Sequence, residues 1–172
     1  AHISRCSDID LFLGELAANQ RQAKVIGVTG TNGKSTVVSL VGHVLRGANI
    51  ACVVGGNLGT PALDLLAQKA SIYVLELSSF QLVHSHVSGL AAVTILNVSD
   101  DHLDYHLTME AYLQSKRRIY SDASWIVTNR EDERLSEDNA SVSIGLSAPG
   151  NQVDWGLLEG VSAAGEETQW LA

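Results

Sequence analysis

Cysteine is scarce in this 172-residue sequence, with only Cys6 and Cys52 present. Two thiols so far apart supply neither a zinc-ligand spacing nor a disulfide framework, and both are expected to be reduced and packed. Long apolar runs are absent as well. No stretch reaches the roughly 18 consecutive apolar residues of a transmembrane helix, and Arg5, Asp8 and Asp10 make the start too polar for a signal-peptide core. Cytoplasmic residence is the expectation. Positive charge is in short supply, with 11 Lys and Arg against 19 Asp and Glu and a net charge of −8. That balance opposes attraction to phosphate backbones and anionic lipid, so neither nucleic acid nor a membrane is expected as partner. Charged residues make up 17% and hydrophobic ones 45%, which excludes a disordered chain. No repeat of fixed period occurs, so solenoids and propellers are excluded. One domain spanning 1–172 is the default at this length.

What is present is an alternation of strand and helix patterns. Asp8 is placed to cap a helix whose apolar residues Ile9, Phe12, Leu13, Leu16 and Ala17 form one stripe. Val25, Ile26 and Val28 predict a short buried strand that stops at Thr29 and Gly30. From Lys34 a helical pattern runs to Gly47, which suits a left-handed cap. Ile50 to Val54 reads as the next strand, entering Gly55-Gly56-Asn57, with Pro61 in the first turn of a short helix through Leu66. Apolar runs at Ile72 to Leu75, Ala91 to Val98 and Trp125 to Thr128 are separated by helix-length segments such as Met109 to Tyr120. This is the pattern of an α/β fold with a mostly parallel sheet flanked by helices. After Ser141 to Ile144 the chain is richer in Gly and Ser, and Ala163 to Glu166 before Thr168 to Leu171 predicts a hairpin, hence a small antiparallel edge. Trp125 is expected to pack in its strand, Trp155 and Trp170 to cover a sheet edge, and His84 and His86 to lie on the surface without a ligand role.

The strongest chemical signal is Gly30-Thr31-Asn32-Gly33-Lys34-Ser35-Thr36, lying between a predicted strand and a predicted helix. Backbone amides and a helix N-terminus there can hold phosphate oxygens, Lys34 supplies a mobile positive charge, and Ser35 offers a hydroxyl to a nucleotide-bound magnesium. The common phosphate loop has Gly five positions before Gly33, where Val28 stands, so a shorter variant is required. Glu76 ends the run Ile72-Tyr73-Val74-Leu75. A carboxylate at the C-terminal end of a parallel strand faces the crevice where α/β sheets bind ligands, and can hold magnesium or merely cap the next turn. The loop Asp100-Asp101-His102-Leu103-Asp104 offers a second cation site or a solvated helix start. Taken alone, Lys116 reads as a solvated base beside Arg117 and Arg118, and Asn57 as a turn residue.

Four segments taken together resemble the Mur ligase family: Gly30 to Thr36, Gly55-Gly56-Asn57-Leu58-Gly59, Leu75 to Leu82, and Asn97 to Asp104. The likeness covers nearly the whole chain, and the Glu-Leu-Ser-Ser-Phe-Gln segment from Glu76 to Gln81 is most similar to the D-glutamate-adding branch. The family's short Gly-Thr-Asn-Gly-Lys-Ser/Thr loop accounts for Val28. The resemblance implies an ATP-dependent amide ligase of peptidoglycan synthesis with ATP and two Mg2+ ions as cofactors. UDP-MurNAc-L-alanine and D-glutamate are then the substrates, joined through an acyl phosphate. It further implies a nucleotide site at Gly30, Thr31, Asn32, Gly33, Lys34, Ser35 and Thr36, and substrate contacts from Asn57, Ser78, Gln81 and His102. The implied metal ligands are Ser35, Glu76, His102 and a carbamylated Lys116, and the implied catalytic set is Lys34, Glu76, His102 and Lys116.

The same resemblance reads 1–172 as a central ATP-binding domain shortened at its C-terminal end, since the family's Gly-x-His-Asn segment does not occur. The family's N-terminal UDP-binding and C-terminal amino-acid domains are not represented, so the chain by itself is expected to bind ATP without forming the amide. Other classes consistent with the phosphate loop are a nucleotide-binding module without turnover and a P-loop hydrolase or kinase of another family.

Overall fold

The computed structural model describes residues 6–19, 22–137, 139–146, 154–157 and 170–171. Helix α1 (Asp8–Asn19) buries Ile9, Phe12 and Leu16, the predicted stripe. Its cap is Ser7 rather than Asp8: the Asp10 amide donates to Ser7 Oγ at 3.1 Å and the Ser7 amide to the Asp10 carboxylate at 2.9 Å. Asp8 instead accepts a hydrogen bond from Gln81 Nε2 at 3.2 Å.

Strand β1 (Lys24–Thr29) is followed by α2 (Lys34–Gly47), β2 (Cys52–Gly56), α3 (Ala62–Leu65) and β3 (Ile72–Glu76). Next come α4 (Ser79–His84), β4 (Ala92–Ile95), α5 (Leu103–His106), α6 (Met109–Arg117), β5 (Ile126–Asn129), β6 (Val142–Gly145), β7 (Trp155–Leu157) and β8 (Trp170–Leu171). The sheet order is β2-β3-β1-β4-β5-β6-β7-β8. Strands β1 to β7 pair in parallel. Among the described residues the antiparallel pairing is confined to Gly156 with Leu171 and Leu157 with Trp170. Strands β6 and β7 continue the parallel sheet and the short edge strand β8 pairs antiparallel with β7, while the hairpin predicted at 163–166 lies outside the described residues.

Alternating side chains split the core in two. Val25, Tyr73 and Leu75 face α1, α3 and α6, where Phe12 meets Tyr73 edge to face with centroids 5.5 Å apart. Val28 and Val74 face α2 and its Val38. Burying each such side chain contributes roughly 1.5–3 kcal/mol.

Several boundaries differ from expectation. The left-handed residue after α2 is Asn49 (φ 59) rather than Gly47, because asparagine tolerates that region and its amide closes on the Arg46 carbonyl at 3.0 Å. That turn delays β2 to Cys52 and leaves Ile50 outside the strand, half exposed. Trp125 is 58% exposed; it precedes β5 and contributes its carbonyl, not its ring, to the sheet. Cys6 is exposed and Cys52 half-buried, so neither is a fully packed thiol. His84 and His86 lie on the surface as expected. The side chains of Trp155 and Trp170 fall outside the description. No helix among the described residues is long and apolar enough to cross a membrane.

Candidate functional site

Chain direction creates the site. Beyond β1 the chain leaves toward β2 on one side, whereas beyond β4 it leaves toward β5 on the other, so a switch point opens at the carboxyl ends of these two strands. The loop Gly30–Gly33 lies there, and Gly33 takes the left-handed conformation (φ 81) that turns the backbone into α2. The first amides of a helix have no intrahelical acceptor, so the start of α2 presents N–H groups to an anion.

Lys34 folds back over this loop, its Nζ donating to the Gly30 carbonyl at 2.9 Å and the Thr31 carbonyl at 2.8 Å. Ser35 Oγ donates to Glu76 Oε2 at 2.7 Å, and Asn57 Nδ2 donates to Glu76 Oε1 at 3.0 Å. Glu76 is 3% exposed, at the end of β3. Two residues distant in sequence, Ser35 and Asn57, thus converge on the Glu76 carboxylate beside the phosphate loop. Hard oxygen donors of this kind suit Mg2+, which keeps waters and takes one or two protein ligands beside phosphate oxygens.

Gly56 makes this convergence possible. It has φ 103, and a Cβ there would lie 2.4 Å from the Glu76 carbonyl oxygen. Gly56→Ala is expected to cost about 3 kcal/mol of stability, read as a lower midpoint in denaturant unfolding, because backbone strain and the clash add.

The structure overturns the solvated reading of Lys116. Its side chain is 2% exposed, lies 4.5 Å from the Tyr112 ring centroid, and donates to the Gly30 carbonyl at 2.9 Å, the same oxygen that Lys34 uses. Burial, followed by the neighbouring Lys34 charge, pushes the Lys116 amine down to about 7, so a substantial fraction is uncharged at neutral pH. A buried amine in that state is a nucleophile.

The remaining candidates are less convergent. Ser78 and Gln81 form a capping box at the start of α4, the Gln81 amide donating to Ser78 Oγ at 3.2 Å and the Ser78 amide to Gln81 Oε1 at 3.1 Å. Their side chains thus serve the helix as well as any ligand. His102 is exposed, its Nδ1 3.5 Å from the Asp101 carboxylate. Among the described residues no group of three or more His, Cys, Asp and Glu side chains is arranged to hold a metal ion.

The chain is also similar to known proteins. Residues 28–159 match the Mur ligase middle domain. The chain belongs to the Mur ligase family. It is 47% identical over 154 residues to a UDP-N-acetylmuramoylalanine–D-glutamate ligase from Shewanella oneidensis, covering 88% of this chain and 34% of the relative. A ligase of the same name from Marinobacter nauticus is 51% identical over 125 residues, covering 73% of this chain and 27% of the relative. Among solved structures, MurF ligase from Thermotoga maritima in complex with ADP superposes with a TM-score of 0.70 at 22% identity, over 88% of this chain and 38% of that one. That likeness bears on the fold. The chain spans about a third of the length of the curated relatives it matches.

Within this Mur ligase middle domain, the phosphate loop is held by residues to which sequence reasoning gave no role. The Thr31 amide donates to the Asn97 carbonyl at 2.9 Å and the Asn32 amide to Asn97 Oδ1 at 2.9 Å, while Asn97 Nδ2 returns a bond to the Asn32 carbonyl at 3.1 Å. Thr31 Oγ1 lies 3.2 Å from the Tyr112 hydroxyl. Asn97 is itself bracketed: Asn129 Nδ2 donates to the Leu96 carbonyl at 2.9 Å and Arg134 Nη2 to the Val98 carbonyl at 2.6 Å. The sequence cues are that Asn97 heads the segment Asn97 to Asp104 that carries the family resemblance and that Asn129 follows a predicted strand end, where parallel sheets place ligand machinery.

Proposed function

We propose that this chain supplies the ATP-binding centre of a ligase that joins D-glutamate to UDP-MurNAc-L-alanine. The γ-phosphoryl group passes from ATP to the alanine carboxylate, giving an acyl phosphate and ADP. The amine of D-glutamate attacks the acyl carbon, a tetrahedral intermediate collapses, and phosphate leaves as the amide forms. The observation that carries this reading is the convergence of Ser35, Asn57 and Glu76 beneath a loop whose Gly30 carbonyl takes both Lys34 and Lys116.

Bringing two anions together is the main electrostatic obstacle, and fixed positive charge and dipoles lower it without reorganisation during the reaction. Lys34 is poised to exchange the Gly30 and Thr31 carbonyls for phosphate oxygens, and the amides at the start of α2 complete the cradle. Ser35 and Glu76 would hold a magnesium ion, which when bound neutralises charge on the transferring group. Uncharged Lys116 can add CO2 to its Nζ, losing one proton and becoming an anionic carbamate. With His102 this would contribute to a second cation position, completed by substrate. Asn57, which bonds Glu76, together with Ser78 and Gln81 at the start of α4, would contact the muramoyl substrate.

Phosphate release from ATP tests the proposal, measured with this chain alone and with the chain as the middle domain of a protein of the relatives' length. The expected result is release in the longer protein only when UDP-MurNAc-L-alanine is present, and none above background from the chain alone. Turnover independent of the muramoyl nucleotide would instead mark a hydrolase.

A further inference from the structure

His106 lies outside every motif considered above, yet it is 6% exposed in a chain whose other described histidines lie nearer the surface. It ends α5, a single turn bounded by two left-handed residues, His102 (φ 52) and Leu107 (φ 67). One turn of helix is not stable by itself, since nucleation costs more than its few hydrogen bonds return. The position of α5 must therefore come from tertiary contacts. The buried polar one is between His106 Nε2 and Ser79 Oγ, 3.0 Å apart, with Ser79 itself buried on α4. Around it the His106 ring packs against Tyr112 on α6 at 5.1 Å, Tyr105 at 4.9 Å and Phe80 at 5.7 Å between centroids.

His102 stands four residues earlier, one turn away on the same face. Its ring is exposed, 4.9 Å from Phe80, and its own polar partner is the exposed Asp101. The ring also meets the buried Tyr112 ring edge to face, with centroids 6.1 Å apart, and among the described residues no hydrogen bond ties it to the core. We infer that His106 is a positioning residue for His102: by bonding Ser79 it pins α5 to α4, and so fixes where the His102 ring stands relative to Ser78 and the phosphate loop. A residue that orients a ligand in this way commonly changes metal affinity without touching the ion. Only the metal arm of the test below rests on the proposed function, in which His102 helps hold a cation.

The test compares the chain with His106→Phe, which keeps an aromatic ring, Ser79→Ala, which removes one oxygen, the double variant, and His106→Gln, which keeps a hydrogen-bonding group at similar reach. The His102 ring resonances are followed by NMR, and Mn2+ binding to the ADP-loaded chain by electron paramagnetic resonance. His106→Phe and Ser79→Ala should each move the His102 signals away from their Phe80-shifted position and weaken Mn2+ about tenfold. The double variant should be no worse than either single one, and His106→Gln should restore both readouts, a pattern that general loss of stability would not give. Unmoved His102 resonances in folded Ser79→Ala and His106→Phe would overturn the inference. Absence of Mn2+ binding in the unmodified chain would count against the metal role of His102, and the NMR arm would still decide the positioning.

Discussion

Lys116→Met is expected to make the chain more stable near neutral pH and, in a protein of the relatives' length, to cut the proposed ligase turnover sharply. Folded, the amine holds its proton only below about 7, against 10.5 for an ordinary lysine. An unfolded chain therefore binds one more proton than the folded chain between those values, and stability rises with pH across that window. Below it, the folded state bears the full cost of a charged amine packed against Tyr112 and sharing the Gly30 carbonyl with Lys34. Methionine fills similar space without a charge, and Gly30 retains the Lys34 bond, so a gain of about 1–3 kcal/mol at pH near 7 is expected. Turnover should fall at least about a hundredfold, the scale of losing one preorganised electrostatic group. Thermal melts between about pH 6 and 10 check the first part: the slope seen with Lys116 should be absent in the variant. A variant less stable at neutral pH, with the same slope, would show that the buried amine is not the titrating group.

Glu76→Gln should separate metal binding from phosphate binding. The carboxylate is nearly inaccessible and both its oxygens are engaged, by Ser35 and Asn57. Glutamine keeps the shape and one acceptor but removes the negative charge. Without a divalent ion, a carboxylate beneath a phosphate loop repels the nucleotide, so ADP with chelator present should bind more tightly to the variant. With Mg2+ the order should reverse, and turnover should drop on the order of a hundred- to a thousandfold. Calorimetric titration with and without Mg2+ measures both. Equal Mg2+ enhancement in Glu76→Gln and the parent chain would remove Glu76 from the metal site.

Much of the centre was legible because it is written locally. Gly30 to Thr36 announces itself by spacing between an apolar run and a helical stripe, and Glu76 by ending another apolar run. The alternation of elements likewise implied the parallel sheet. Lys116 was not legible without the family resemblance, since Lys116-Arg117-Arg118 looks uniformly solvated. In the fold, Lys116 points under the loop, Arg117 pairs with Glu137 at 2.7 Å, and Arg118 reaches the Ser85 carbonyl at 3.0 Å. Which of three adjacent bases turns inward depends on how α6 packs, a tertiary fact. His106 gave no cue for the same reason: its partner Ser79 comes from another helix. Asn49 displaced Gly47 as the left-handed residue because both types can adopt that conformation, and the hydrogen bonds closing the turn decide between them.

The central claim, that the loop from Gly30 to Thr36 and the Glu76 carboxylate form one nucleotide–metal site, is tested most directly by amide NMR of this chain during titration with Mg·ADP. Saturable shifts centred on Gly33, Lys34 and Ser35, with Glu76 and Asn97 following at the same midpoint, are predicted. Shifts that never saturate, or that centre on the polar cavity lined by Thr128, Arg130, Glu133 and Ser143, would contradict it.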